Sequence, residues 1–304
     1  MKVLVMGGIN NKMTIDLVNQ LNSKEISFII GGNDKKESPS SEMPFYAIKN
    51  RYELTEVLVA HKIDCVIHLW GTAITTNSIK NSFHESEENI ERTINLLEAC
   101  VEAKVKKIIF PSTISVYGEE TGELLTEDSP LQPVLFEGLS KKMEEQYIKN
   151  YHALYGLSYS ILRFSNVYGD QTQTTKEDII TSTIKQVLNG KPPIVFEDGE
   201  QKKDFLHITD AVHAIVSSIE KGGNEVINIC SRNSVSLKEV VRFIEAFVKG
   251  KETALPLKRE KIYISTEKAE MQLKWTPAVS LENEMIKMIK MISDNKNNYR
   301  YEEV

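Results

Sequence analysis

The strongest constraint on how this chain folds is an alternation in its first half. Short aliphatic and β-branched runs at Lys2–Met6, Ile26–Ile30, Cys65–Leu69 and Lys107–Phe110 are separated by Thr14–Leu21, Leu54–His61 and Asn89–Ala103, whose apolar residues recur at helical spacing. Strands buried on both faces read as continuous apolar runs, and parallel neighbours must be joined by a crossover, most often a helix. The first half therefore reads βαβαβα, a doubly wound parallel sheet.

A further helix over Leu139–Tyr155 leads through Gly156 into a strand at Tyr159–Phe164, and the polar stretch Asp170–Asp178 reads as a loop leaving the sheet. Beyond it the pattern predicts helices at Ile179–Asn189, Thr209–Glu220 and Leu237–Val248, strands at Ile194–Phe196 and Val226–Ile229, a last helix at Leu281–Ser293 and a solvated tail from Asp294. The expected organisation is a first domain over 1–169 and a smaller mixed α/β substrate lobe over 170–304, with about 204–232 returning to pack on the first domain.

The formal charge of −6 is spread along the chain without a basic stripe, which argues against nucleic acid as a partner. Cys65, Cys100 and Cys230 show no metal-ligand spacing and read as buried reduced thiols, so no metal is expected. Neither a signal-peptide pattern nor an apolar run of membrane-spanning length is present, and the expectation is a cytoplasmic protein without a membrane partner.

Directly after the first strand comes Gly7-Gly8-Ile9-Asn10-Asn11-Lys12-Met13. A dinucleotide-binding turn needs glycines for a tight bend and for close approach to a pyrophosphate. Here Asn10 and Met13 stand at the later glycine positions; Asn tolerates positive φ, so the backbone of Gly7, Gly8, Asn10, Asn11 and Lys12 remains a candidate phosphate cradle. At the end of the second strand, Gly31-Gly32-Asn33-Asp34 lacks the acid that usually binds the adenosine ribose; Asp34 either reaches the ribose from a reshaped loop or belongs to a polar turn.

Five further segments occur in a telling order: His68-Leu69-Trp70-Gly71, the helix carrying Asn89, Thr93, Asn95 and Leu96, the run Pro111–Gly118, the run Leu162–Gly169, and Asp204–Asp210. Together they resemble the extended short-chain dehydrogenase/reductase family, especially its UDP-glucose 4-epimerase-like members, over nearly the whole chain. The resemblance implies a Rossmann-type dinucleotide-binding domain with NAD or NADP as cofactor, a nucleotide-diphosphate sugar as substrate, and a homodimer packed through the helices at Asn89–Ala103 and Leu139–Tyr155. It also implies that the hydroxyl of Thr113 contacts the sugar hydroxyl or ketone being oxidised or reduced. Ile114 and Ser115 fill the interval where dehydratases and decarboxylases of the family usually carry an acid, which disfavours both reactions.

The family's Tyr-x-x-x-Lys pair is where the sequence departs. The segment Phe136-Glu137-Gly138-Leu139-Ser140-Lys141 matches its Gly, Ser and Lys, so Glu137 stands in the tyrosine's place; Phe136 has no hydroxyl and Tyr147 lies on another turn. By resemblance, Lys141 binds the cofactor ribose. Glu137 has two readings, an i,i+4 helix ion pair with Lys141 or a general base. The diphosphate candidates implied by the resemblance are Asn166, Lys203 and Arg259, with Phe196 bordering the base. The leading expectation is a nucleotide-sugar epimerase or keto-sugar reductase with altered cofactor and catalytic motifs. Its rival is a catalytically silent homologue that binds a nucleotide sugar, a dinucleotide or a protein.

Overall fold

The computed structural model describes residues 1–7, 12–33, 43–70, 78–118, 124–169, 178–193, 199–250, 257–258, 260–261 and 264–300. Strands β1 (Lys2–Met6), β2 (Ser27–Gly32), β3 (Phe45–Ala47), β4 (Cys65–His68), β5 (Lys107–Thr113), β6 (Ser158–Phe164) and β9 (Glu225–Ile229) form one sheet in the order β3-β2-β1-β4-β5-β6-β9. Every pairing in it is parallel. Helices α1 (Lys12–Ser23) and α6 (Ile208–Glu220) cover one face, where Leu17, Leu21, Ala211 and Ile215 pack on Val3, Val5 and Ile67. Helices α2 (Arg51–His61), α3 (Ser78–Glu102) and α4 (Phe136–Tyr155) cover the other, with Leu54, Leu58, Leu97 and Ile148 packed on Leu4, Val66 and Ile108. Strand order reverses between β1 and β4, and at such a switch point the carboxyl ends of the strands open a crevice for ligands.

The remaining strands β7 (Asn166–Tyr168), β8 (Lys202–His207), β10 (Asn233–Ser236) and β11 (Glu260–Lys261) make a second, mixed sheet in the order β11-β10-β8-β7. It shares a core with α5 (Ile179–Leu188), α7 (Leu237–Val248) and α8 (Leu281–Arg300) through Tyr168, Ile184, Phe205, Phe243, Met285 and Met288. Among the described residues no helix is long and apolar enough to cross a membrane.

Several boundaries differ from those expected. Helix α3 begins at Ser78, a full eleven residues before Asn89, through a mostly polar segment whose large apolar residues are Ile79 and Phe83. Helix α4 begins at Phe136 rather than Leu139; its N-cap is Leu135, which makes no side-chain capping bond, so the usual Ser, Asp or Asn signal is missing. Helix α8 continues through Arg300 where a solvated tail was expected from Asp294. Strands β3, β7, β8, β10 and β11 went unread because they are short or rich in polar residues, as in KKDFLH and NSVS. The strand expected at Ile194–Phe196 lies outside the described residues.

One buried network ties this architecture together. Arg163 on β6 donates through Nε and Nη2 to the two oxygens of Glu145 on α4, at 3.0 and 2.6 Å, and both side chains are 1 % exposed. Ser112 of β5 donates to the same carboxylate at 2.6 Å. Arg163 Nη1 donates to the Tyr117 hydroxyl at 2.9 Å, and that hydroxyl donates to Asn228 Oδ1 on β9 at 2.7 Å. Removing one member of a buried ion pair strands the other, at a cost of about 3–5 kcal/mol. Arg163→Met is therefore expected to lower unfolding stability in urea by roughly that amount, and Arg163→Met/Glu145→Met by much less. Equal losses in the single and double variants would contradict this account.

Candidate active site

The site begins at the end of β5. Thr113 is extended (φ −135°, ψ 150°) and caps a 3-10 turn over Ile114–Val116: its Oγ1 accepts from Ser115 N at 3.2 Å and donates to Ser115 Oγ at 3.1 Å. Helix α4 starts directly against this turn. A β-carbon on Gly138 would lie 2.5 Å from the Ser115 carbonyl oxygen, closer than any side chain permits. Gly118, which leaves the turn at φ +91°, lies so near Gln132 that a β-carbon would sit 2.1 Å from its carbonyl oxygen. These two glycines bring the segment before α4 onto the turn after β5, and Glu137 and Lys141 come with it.

Glu137 is half-buried in the first turn of α4, where a carboxylate faces the positive end of the helix dipole. Burial pushes its carboxyl above the ordinary value, with the Lys141 charge opposing. Phe136 points outward, 52 % exposed, and Tyr147 packs against the sheet core, so neither supplies a hydroxyl. The helix ion pair expected between Glu137 and Lys141 is not formed. Lys141 is buried, its Nζ 4.4 Å from the centre of the Phe110 ring and 3.6 Å from Glu144 Oε2. One helical turn brings Glu144 to the same buried face, which the solvent-exposed pair reading overlooked.

Glu144 was not singled out in the sequence. It is fully buried, and its Oε2 accepts from Thr93 Oγ1 of α3 at 2.7 Å. Thr93 Oγ1 lies 2.8 Å from Nε2 of the equally buried His68, whose ring is held well below its usual pKa by desolvation and, next, by the Lys141 charge. Among the described residues, Lys141 Nζ and Glu144 Oε1 have no hydrogen-bond partner. The available signal was the spacing of Lys141, Glu144, Glu145 and Ile148 at i, i+3, i+4 and i+7, a stripe that a buried helix face repeats.

On the cofactor side, Gly7 allows a close approach, since a β-carbon there would lie 2.7 Å from Leu69 Cβ. Gly8, Asn10, Asn11 and Asp34 lie outside the described residues. Lys12 opens α1 with its Nζ on the Asp16 carboxylate at 2.7 and 2.8 Å. Met13 is a core residue packed with Leu17 and Leu21, which gives its side chain a structural reason in place of glycine. Gly31 likewise has a packing reason: a β-carbon would lie 2.5 Å from Met6 Sδ.

On the substrate side, Thr113 pairs in register with Phe164, and the chain then enters β7 at Asn166. Asn166 Nδ2 donates to the Asp204 carbonyl at 2.9 Å. The Asp204 side chain is buried beneath it, accepting from Ser165 Oγ and, at 2.8 and 2.9 Å, from Ser231 N and Oγ; burial outweighs those bonds and pushes its carboxyl up to about 6. Lys203 is half-buried on β8, beside β7. Arg259 and Phe196 lie outside the described residues. The structure thus brings Thr113, Glu137 and Lys141 to one end of the sheet and Asn166 and Lys203 to the adjoining small sheet. A cavity of about 290 Å³ lined by Gln20, Lys24, His213 and Trp275 lies at the opposite, amino-terminal edge of the strands, by the last turn of α1, and touches none of these residues.

The model of the NAD dependent epimerase/dehydratase family matches residues 15–230. A dTDP-4-dehydro-6-deoxyglucose reductase from Escherichia coli is 33% identical over 249 residues, 79% of this chain and 78% of the relative. The UDP-glucose 4-epimerase of Thermotoga maritima, solved with UDP-glucose, superposes with a TM-score of 0.83 at 25% identity, covering 98% of this chain and 99% of the other. A UDP-glucuronic acid 4-epimerase from Bacillus cereus, solved with UDP-glucuronic acid and NAD, gives 0.77 at 28% identity over 96% and 100%. With a family match over most of its length and the parallel sheet and α4 site in place, this chain belongs to the NAD dependent epimerase/dehydratase family.

Proposed function

We propose that the chain is a nucleotide-sugar-modifying enzyme of the epimerase or keto-sugar reductase type, linked to NAD or NADP, in which Glu137 does the proton work otherwise given to a tyrosine. The observation that carries the reading is Lys141: a buried ammonium without a hydrogen-bond acceptor among the described residues, at the carboxyl end of a doubly wound sheet. A buried unsatisfied donor is costly, and ribose hydroxyls are acceptors that would satisfy it. The relatives solved with UDP-sugars and NAD support the ligand class.

When bound, the nicotinamide supplies the acceptor for the hydride leaving the sugar carbon. Thr113 orients the reacting hydroxyl, and the ionised Glu137 takes its proton; on return of the hydride, the same carboxyl gives the proton back. Burial favours this exchange by raising the carboxyl above its ordinary value, with the Lys141 charge opposing, which makes it a better proton acceptor than an exposed glutamate. Asn166, Lys203 and Arg259 are assigned to the diphosphate and Gly8, Asn10, Asn11 and Lys12 to the dinucleotide turn. The buried free thiols suit a reducing, cytoplasmic setting. Exposed Leu139 and Met143 on α4, beside α3, suit a homodimer built as a four-helix bundle.

Two outcomes follow. Denaturing the purified protein and analysing the supernatant by mass spectrometry is expected to release NAD or NADP, or calorimetry to show its binding; a protein that binds UDP-sugar but no dinucleotide would be a silent homologue instead. Glu137→Gln is expected to lower turnover about 10²–10⁴-fold, the range for loss of a general acid–base. It is also expected to raise unfolding stability at neutral pH, because a carboxyl with a raised folded pKa costs stability once it ionises. That gain fades as pH falls through the raised folded value and is absent below about 4.3, the unfolded value. Unchanged turnover removes Glu137 from the chemistry.

A further inference from the structure

We propose that Glu144 is a positioning residue of this site, a buried counter-ion that keeps the Lys141 ammonium charged and in place while leaving its N–H groups free for a ligand hydroxyl. The inference rests on the role of Lys141 proposed above, and it assigns a function to a carboxylate outside the family's Tyr-x-x-x-Lys segment.

A lysine removed from water tends to lose its proton unless an anion stays beside it. Glu144 is the carboxylate positioned to prevent that, 0 % exposed and 3.6 Å from Nζ. The distance matters: it is close enough for charge attraction but longer than a hydrogen bond, so the ammonium is neutralised without its donors being consumed. The carboxylate is itself held. Thr93 Oγ1 spends its proton on Glu144 Oε2, so toward His68 it can only accept, which assigns the ring proton of His68 to Nε2. Donation therefore runs from the neutral ring on β4 through Thr93 of α3 and ends on the Glu144 carboxylate, which the Lys141 ammonium faces on the same oxygen.

Among the described residues, the charged and titratable groups around Lys141 are few. Glu137 and Glu144 lie on its own helix, the Phe110 ring on β5, and His68 on β4; Arg92 of α3 acts on His68 and is paired with Glu88 at 3.1 Å. The neighbouring Glu145 is held by Arg163. The Lys141 charge acts on Glu137 as well, but Glu144 is, among the described residues, the carboxylate within ion-pair distance of Nζ.

The test is the titration of Lys141 in the ligand-free full chain, followed by NMR of lysine ε-carbons labelled with carbon-13 and assigned by the signal lost in Lys141→Met. In Glu144→Gln the ammonium is expected to give up its proton at lower pH than in the wild type. Thr93→Val, which removes only the hydrogen bond holding Glu144, is expected to shift it in the same direction by less, and it serves if Glu144→Gln does not fold. Glu144→Asp is expected to recover part of the wild-type behaviour. An unchanged Lys141 titration in Glu144→Gln, or in Thr93→Val where that is the variant that folds, overturns the proposal. Because no cofactor or substrate is present, this result is independent of whether the released-ligand experiment finds a dinucleotide.

Discussion

The close approach of α4 to the turn after β5 is the constraint on which the site depends. At Gly138 there is no room for a β-carbon against the Ser115 carbonyl, and that contact determines where the next residues of the helix fall. Ser140 ties back to the Glu137 carbonyl at 3.0 Å, Lys141 turns inward over Phe110, and Glu145 meets Arg163. A larger residue at position 138 would push the helix start away from Thr113 and separate the hydroxyl from both charged groups.

Behind that contact, the helix carries its charges into the interior and balances each with a different element. Glu145 is satisfied by Arg163 and Ser112 and serves the fold; Glu144 is satisfied on one oxygen by Thr93 and leaves Lys141 with unspent donors. Adjacent glutamates thus have separate tasks. A fully bonded buried pair contributes rigidity and an incompletely bonded one is costly in isolation, so the unspent donors point to a ligand.

Much of this was legible in the chain itself. Strands β1, β4 and β5 are buried on both faces, and their apolar runs gave them away; β8 and β10 lie in a small mixed sheet and carry too many polar residues to do so. Thr113, Gly138, Lys141 and Glu137 drew notice by their places in the motifs. Met13 and Gly31 looked like damaged ligand positions until packing supplied their reasons. Glu144 was hidden because a sequence shows KKMEEQ as a charged helix surface, and only the positions of α3 and Phe110 reveal that one side of it is inside.

The central claim is that these groups form a single hydride-transfer site with a carboxylate as its proton carrier. The most direct measurement is the near-ultraviolet absorbance of reduced nicotinamide when NAD-loaded protein is mixed with a UDP-hexose over a range of pH. The account predicts that the reduced cofactor appears, and that it does so in parallel with ionisation of Glu137. Tight binding of both ligands with no reduced nicotinamide at any pH would contradict it.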